Sequence, residues 1–213
     1  MNKILIADYG MGNLGSIKNM LKRIGAEVEI TSSPKAISEC KKLILPGVGA
    51  FDVAMDKINS SGIGEALNHV RKEGSHILGI CLGMQLLTLH SEEGDCEGLG
   101  WFNATTVKFN FDGKGLSEDL KIPHMGWNRI SINPAFEGKE QVKILQNIPD
   151  PKRFYFVHSY RVVASSPDEV LCTTMYGEEF VSGIQKNNTM GVQFHPEKSH
   201  KYGMALLTNF LRL

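Results

Sequence analysis

The sequence predicts an α/β fold in which a central, mostly parallel sheet is flanked by helices and carries an added antiparallel β portion. In the first half, short apolar runs alternate with helical patterns, an order typical of a parallel sheet covered by helices. From Trp101 onward, β-rich runs are separated by Gly, Pro and Asn turns, which predicts antiparallel or mixed pairing. The 213 residues suit one core of this kind and contain no internal repeat, so we expect a single domain over residues 1–213.

Uninterrupted apolar runs in the first half predict buried parallel strands, and amphipathic patterns between them predict helices. The expected strands are residues 3–7, 28–31, 42–45 and 76–80. The expected helices are residues 14–24, 51–58, 63–73 and 83–90. Gly25 ends the first helix, because glycine readily adopts the left-handed conformation that terminates helices.

The second half is expected to be mainly β-structure. Its predicted strands are residues 104–109, 154–157, 161–164, 170–174, 180–184 and 190–194. Two polar stretches, residues 112–118 and 134–141, are expected to be loops. An apolar-faced helix is predicted over residues 202–211.

The balance of charges and the spacing of the cysteines indicate which kinds of partner and which cellular compartment to expect. The 23 basic and 23 acidic residues balance, which argues against a broad nucleic-acid or anionic-membrane surface and favours small molecules and proteins as partners. The first apolar run is too short for a signal peptide, and no apolar stretch is long enough to span a bilayer. The four cysteines lack CxxC spacing, which indicates free thiols in a reducing compartment. We therefore expect a cytoplasmic protein.

A Gly-x-Cys-x-Gly segment centred on Cys81 predicts a nucleophile. It follows an apolar strand and precedes a helix, as in the strand-turn-helix elbows that expose a catalytic side chain. Glycines at 79 and 83 are needed there because a β-carbon would crowd the neighbouring strand or helix. The backbone N–H of Leu82 is placed to bind an oxyanion, and the start of a helix favours negative charge. The alternative is a buried, inert cysteine.

A cysteine nucleophile needs a histidine from elsewhere in the sequence, and His195 is the best candidate. A predicted strand delivers His195 to its end, where Pro196 stops the strand and Glu197 follows within reach of the ring. A carboxylate beside a catalytic imidazole fixes its tautomer and stabilises the imidazolium, so Cys81, His195 and Glu197 form a predicted triad. A zinc deaminase signature also contains His-x-Glu, but its Pro-Cys-x-x-Cys is missing, so no metal is expected. If the tripeptide His195-Pro196-Glu197 is considered alone, the alternative to a catalytic pair is a surface histidine and glutamate at the end of a strand.

Two glycine-rich loops follow predicted strands. In the segment Pro46-Gly47-Val48-Gly49, the glycines allow backbone N–H groups to face a ligand, so Val48 and Gly49 are assigned to the oxyanion hole; an ordinary βα turn is the alternative. Residues 10–15 read Gly-x-Gly-x-x-Gly, which raises a dinucleotide-binding oxidoreductase as an alternative. The acidic residue expected at the end of the second strand is missing there, so no cofactor is expected.

These residues together resemble the class I (triad) glutamine amidotransferases, and within that family the glutaminase subunits of imidazole glycerol phosphate synthases. The resemblance lies in residues 8–13, 46–49, 79–85, 123–128, 155–160 and 193–199. It implies a flavodoxin-like α/β fold and hydrolysis of glutamine to glutamate and ammonia. The resemblance also implies a glutamine-binding set, namely Gly47, Gln85, Glu93, His158, Ser159 and Tyr160.

The resemblance further implies a heterodimer with a (β/α)₈-barrel cyclase subunit. The barrel uses the ammonia to make imidazole glycerol phosphate and AICAR in histidine biosynthesis. The residues implied to face the barrel are Tyr9, Asn13, Trp127, Asn128 and Lys198. Residues 197–204 are at least as similar to relatives that supply ammonia for amidino-sugar synthesis in surface polysaccharides, and that alternative stays open. A peptidase or γ-glutamyl hydrolase could use the same triad.

Overall fold

The computed structural model describes residues 3–112, 120–136 and 140–213. Of the predicted loop 112–118, only Asp112 falls among the described residues. The predicted loop 134–141 is described on either side of residues 137–139. There it is not a simple loop, because short 3-10 helices cover Pro134–Phe136 and Glu140–Leu145.

A parallel sheet forms the first layer of the fold, as predicted. Its five strands are, in spatial order, β2 (Glu27–Thr31), β1 (Lys3–Ala7), β3 (Lys42–Leu45), β4 (His76–Ile80) and β14 (Thr189–Val192). Each neighbouring pair among them is parallel. The last strand comes from the far end of the chain, so two distant segments of the sequence lie side by side in the centre of the sheet.

Helices cover both faces of this sheet. They are α1 (Leu14–Arg23), α2 (Pro34–Glu39), α3 (Phe51–Ser60), α4 (Ile63–Lys72), α5 (Leu82–Gln85) and α6 (His200–Arg212). Side chains alternate along a strand, and β1 follows this rule: Ile4 and Ile6 belong to one core cluster, whereas Leu5 and Ala7 belong to the other. The first cluster includes residues of α1 and α6, and the second includes residues of α3 and α4.

A mainly antiparallel portion continues the same sheet beyond β14, with a parallel pairing between β5 and β7. The strands that extend it are β13 (Glu178–Lys186), β11 (Tyr160–Ala164), β7 (Ala104–Lys108), β5 (His90–Ser91) and β6 (Cys96–Glu97), with β12 (Val170–Tyr176) and β9 (Ser131–Ile132) branching from β13. A separate antiparallel pair consists of β8 (His124–Arg129) and β10 (Arg153–His158). The predicted fold class is confirmed. No helix within the described ranges is long and apolar enough to cross a membrane.

Several other local predictions were wrong or incomplete. The strand expected over residues 190–194 ends at Val192, and strand β8 was not predicted. The helix expected over residues 83–90 ends at Gln85, because carbonyl groups that would continue it bond to other segments. The carbonyl of Leu86 accepts from Leu99, and that of Leu87 accepts from Trp101 and Phe102. Helix α2 was missed, although Ser33 caps it and Pro34 occupies its first turn, a recognisable start signal.

Candidate active site

The carboxyl ends of β3, β4 and β14 meet at one edge of the sheet, where ligands bind in open α/β folds. A cavity of about 320 Å³ lies there. Its lining residues are Val48, Gly49, Cys81, Leu82, Gln85, Glu93, Pro123, Val157, His158, Ser159, Tyr160, His195 and Lys198. The cavity therefore brings together the residues predicted as nucleophile, base, oxyanion loop and glutamine pocket.

Cys81 occupies the turn between β4 and α5 with a φ of 54°, a positive value that a non-glycine residue rarely adopts. The flanking glycines explain how the turn is built. A β-carbon on Gly79 would lie 2.6 Å from the carbonyl oxygen of Gly83, and one on Gly83 would lie 1.9 Å from that of Leu45. Backbone segments approach too closely for side chains at either position, as the Gly-x-Cys-x-Gly pattern predicted.

The Cys81 sulfur is only slightly exposed and has two polar neighbours. Its Sγ lies 3.9 Å from the carbonyl oxygen of Val157 and 3.7 Å from Nε2 of Gln193. Gln193 is fully buried and was missed by sequence reasoning. The available signal was its position two residues before His195, since residues two apart on an extended segment share a face.

His195 and Glu197 form a buried pair behind the sulfur. His195 Nδ1 lies 2.7 Å from Glu197 Oε1, and both side chains are 2% exposed. The backbone N–H of His195 donates to the carbonyl of Tyr155 in strand β10, and the backbone carbonyl of His195 accepts from the Ser199 hydroxyl. These two bonds fix the backbone at His195, and Glu197 holds the ring at Nδ1, while Nε2 has no hydrogen-bond partner among the described residues. Nε2 is the nitrogen left to serve Cys81.

Electrostatics favour a charged imidazole at this position. Burial lowers the pKa of His195, but the Cys81 thiolate and the Glu197 carboxylate outweigh that effect and raise the pKa to about 10. The Cys81 sulfur and the Glu197 carboxylate thus favour the imidazolium form of His195. Within the described part of the chain, no group of three or more His, Cys, Asp or Glu side chains could hold a metal ion.

The loop that follows β1 packs against the predicted oxyanion loop. The Tyr9 hydroxyl donates to the carbonyl of Pro46, and a β-carbon on Gly49 would lie 2.6 Å from the methyl group of Met11. Tyr9 is 5% exposed, so little of its side chain is available at the surface of this chain, and its contact with a partner stays a prediction. Gly47 does not line the cavity, because it packs against Tyr9 and Leu82. The Gly-x-Gly-x-x-Gly segment thus supports this loop.

The predicted glutamine pocket forms one wall of the cavity. Gln85 is buried, and its Nε2 donates to the carbonyl of Tyr160 and to Oε1 of Gln193, each at 3.1 Å. Glu93 Oε2 accepts from the N–H of Phe51 at the start of α3. Burial raises the pKa of Glu93 against the opposing effect of that hydrogen bond.

The remaining predicted partner residues differ in exposure, and Lys198 is the one among them that lines the cavity. Trp127 on β8 is 38% exposed, and its ring stacks on His200 with an interplanar angle of 4°. Lys198 lines the cavity itself, with Nζ 5.6 Å from the ring centroid of Tyr155. Asn13 is exposed and caps helix α1.

Comparison with known proteins adds family information. The model of the family "Glutamine amidotransferase class-I" matches residues 5–213. The chain is 51% identical over 210 residues to "Imidazole glycerol phosphate synthase subunit HisH 2" of Methanococcus maripaludis, covering 98% of each chain. A protein of the same name from Pseudomonas aeruginosa is 45% identical over 211 residues, covering 99% of each. Subunit HisH of Sulfurimonas denitrificans is 44% identical over 212 residues, covering 98% of this chain and 97% of that one.

Solved structures share the fold at lower identity. PurLQS from Thermotoga maritima superposes with a TM-score of 0.71 at 17% identity, covering 99% of this chain and 97% of that chain. A glutamine amidotransferase superposes with a TM-score of 0.67 at 19% identity, covering 96% and 98%. The arrangement of Cys81 at an elbow beside a buried His-Glu pair agrees with the near full-length family match. This chain belongs to the class I glutamine amidotransferases.

Proposed function

We propose that this chain is the glutaminase subunit of an imidazole glycerol phosphate synthase, a single glutaminase domain over residues 1–213. It hydrolyses glutamine to glutamate and ammonia and delivers the ammonia to a (β/α)₈-barrel cyclase subunit. The cyclase uses ammonia to form imidazole glycerol phosphate and AICAR in histidine biosynthesis. The observation that carries this proposal is the placement of Cys81 and the His195–Glu197 pair at one cavity, in a chain 51% identical to such a subunit.

In the first half-reaction, the Cys81 thiolate attacks the carbonyl carbon of the glutamine side-chain amide and forms a C–S bond. The oxyanion is stabilised by the N–H of Leu82 and by the loop that carries Val48 and Gly49, and each such donor contributes roughly 10²–10³-fold. His195 then donates its Nε2 proton to the amide nitrogen as the C–N bond breaks. Ammonia leaves, and a γ-glutamyl thioester stays on the enzyme.

In the second half-reaction, neutral His195 takes a proton from water, which attacks the thioester carbonyl. The C–S bond breaks, glutamate leaves, and the sulfur returns to the thiolate state. Glu197 accepts from Nδ1–H of His195 and keeps the imidazole in the tautomer that presents Nε2 to the reaction. General acid–base transfer of this kind contributes roughly 10²–10⁴-fold.

Ammonia that escapes into neutral water becomes ammonium and is no longer a nucleophile, so a partner must cover the site. Strand β8 follows Pro123, which lines the cavity, and exposes two large apolar side chains, Met125 at 62% and Trp127 at 38%. Exposed apolar side chains that cluster on one face are typical of protein interfaces. We place the cyclase against this face, with Trp127, Asn128, Asn13 and Lys198 as candidate contacts. The four cysteines, all among the described residues, are free thiols, and this supports the proposed cytoplasmic location.

The test is glutamate release from glutamine by the purified chain, alone and with the same organism's histidine-pathway cyclase subunit and its substrate. We expect strong stimulation by the cyclase and loss of hydrolysis in Cys81→Ala. Cys96→Ala is the matched control, because Cys96 lies outside the cavity, and it should retain activity.

Hydrolysis that survives in Cys81→Ala would disprove the nucleophile assignment. A competent chain that ignores the cyclase would shift the assignment to the amidino-sugar pathway, which the relatives described above do not favour. Cleavage of peptides without a partner would favour a peptidase or γ-glutamyl hydrolase instead.

A further inference from the structure

A buried chain of hydrogen bonds runs from strand β8 to the proposed glutamine pocket. Asn128 Nδ2 lies 3.3 Å from Nε2 of His124, and His124 Nδ1 lies 3.0 Å from Nε2 of His158. His158 Nδ1 lies 2.7 Å from the carbonyl oxygen of Tyr160. That oxygen also accepts from Nε2 of Gln85. Nothing in the proposed reaction uses His124.

The donors and acceptors in this series of hydrogen bonds can be assigned in one consistent direction. The Asn128 amide nitrogen can only donate, and its orientation is set because it also donates to the carbonyl of Met175 while Oδ1 accepts from the N–H of Arg129. His124 Nε2 must therefore accept, which places the His124 proton on Nδ1. His158 Nε2 then accepts, and its own Nδ1–H donates to Tyr160. Both rings are neutral and carry the proton on Nδ1.

Aromatic rings enclose the two histidines and keep water away. His124 is 3% exposed and stacks on Tyr176, with ring centroids 4.0 Å apart, and on Phe156 at 4.9 Å. His158 is 6% exposed and packs near Phe109 and Phe180. Burial lowers the pKa of His124 to about 4 and that of His158 to about 3. The rings therefore stay neutral at physiological pH, which the hydrogen-bond direction requires.

The two ends of this series of hydrogen bonds lie in different parts of the protein, one in the wall of the cavity and the other on strand β8. At one end, the Tyr160 carbonyl and the Gln85 amide are fixed against each other in the wall of the cavity. At the other end, Asn128 is on the same strand as the exposed Met125 and Trp127. A shift of β8 relative to β10 would change the distance between His124 Nδ1 and His158 Nε2.

We propose that His124 is a positioning residue for the glutaminase, which acts through His158 to hold the Tyr160 carbonyl and the Gln85 amide in place for glutamine and ties that pocket to strand β8. This inference rests on the proposed function, since it names how the same pocket is held. His124 does not touch the substrate. Its removal should weaken glutamine binding while the triad stays intact.

The test compares three variants in the complex with the cyclase. His124→Phe keeps the stacked ring but removes both nitrogens, and we expect the KM for glutamine to rise about threefold to tenfold, with kcat within about twofold of wild type, as for loss of a neutral hydrogen bond that acts on binding alone. His124→Asn retains a donor at the Nδ1 position and should restore most of the wild-type KM. Tyr176→Phe removes hydrogen bonds to Lys121 from the same aromatic cluster and should leave KM unchanged.

The outcomes separate this inference from the proposed function. With an active wild-type complex, an unchanged KM in His124→Phe overturns the positioning role, as does an equal rise in Tyr176→Phe. A wild-type complex that releases no glutamate removes the proposed function instead. The ¹⁵N NMR signals of the two imidazoles then still decide on the hydrogen-bond chain: neutral rings protonated on Nδ1 support it, and any other tautomer overturns it.

Discussion

Lowering the pH should destabilise this protein through two buried neutral histidines, His124 and His158. Burial lowers their pKa values to about 4 and about 3 in the folded protein, whereas an unfolded histidine titrates near 6.5, the value in model peptides. Between these limits the unfolded chain binds protons that the folded chain does not. The contribution of these two groups to the free energy of unfolding must therefore fall as the pH falls below about 6.5, and this contribution is absent at pH 8, whereas His195, with its raised pKa, acts in the opposite direction.

The magnitude follows from the same values. At pH 5, an unfolded histidine with a pKa of about 6.5 is mostly protonated, while both buried rings remain mostly neutral. Each pH unit of this difference is worth about 1.4 kcal/mol, so each histidine removes about 2 kcal/mol of stability between pH 8 and pH 5. The pair removes about 4 kcal/mol, a large share of the 5–15 kcal/mol that usually stabilises a folded protein.

Urea unfolding followed by circular dichroism at pH 8 and pH 5 measures the net change in stability, and comparison with a variant isolates the share of one histidine. In His124→Phe, the loss should be smaller than in wild type by about 2 kcal/mol, because one of the two histidines is gone. Tyr176→Phe changes the same aromatic cluster without removing a histidine and serves as the control. If wild type and His124→Phe lose the same stability, the argument that His124 is buried in the neutral form is wrong.

Three further perturbations test the active-site geometry. A β-carbon on Gly203 would lie 1.8 Å from the carbonyl oxygen of Pro196, so Gly203→Ala should displace α6 from the turn that carries Glu197 and lower kcat by about 10²-fold in the glutaminase assay. The control is Gly15→Ala, because a β-carbon on Gly15 would meet no atom within 4 Å. This substitution should raise the free energy of unfolding by about 0.5–1 kcal/mol. Equal glutaminase activities of the two variants would contradict the account given for Gly203. Tyr9→Phe removes the hydrogen bond to the oxyanion loop and should lower kcat about threefold to tenfold, more than it changes KM; a larger change in KM would instead place Tyr9 in glutamine binding. Glu197→Gln should lower both kcat and the imidazole pKa measured by NMR, and an unchanged pKa would show that the carboxylate does not stabilise the imidazolium.

Much of the parallel half of the fold was predictable from local sequence. Strands β1, β3 and β4 have the predicted bounds, because buried parallel strands are continuous apolar runs with clear ends. The elbow at Cys81 was predictable for a similar reason. Gly79 is required by a close contact with Gly83, four residues on, so this part of the pattern carries the geometry itself, whereas Gly83 is required by the approach of Leu45 from the neighbouring strand.

Other local patterns were compatible with two different structural roles, and tertiary contacts decide between them. The Gly-x-Gly-x-x-Gly segment matches a dinucleotide fingerprint, yet its Met11 lies against Gly49 in the neighbouring loop. Tyr9 in the preceding turn could have been exposed or buried on sequence grounds. Its burial follows from the hydroxyl that bonds to Pro46, a residue 37 positions away.

The sequence by itself determined the α/β class, the parallel strands and the three residues of the candidate triad, because each depends on short-range pattern and residue chemistry. The tertiary structure alone decided the early end of α5, the place of Gln193 beside the sulfur, and the link from Asn128 through His124 to the pocket. Those features depend on groups far apart in the chain that meet only after the sheet has formed. Local propensity carries no information about such pairs, because their hydrogen bonds are set by which segments the sheet brings together.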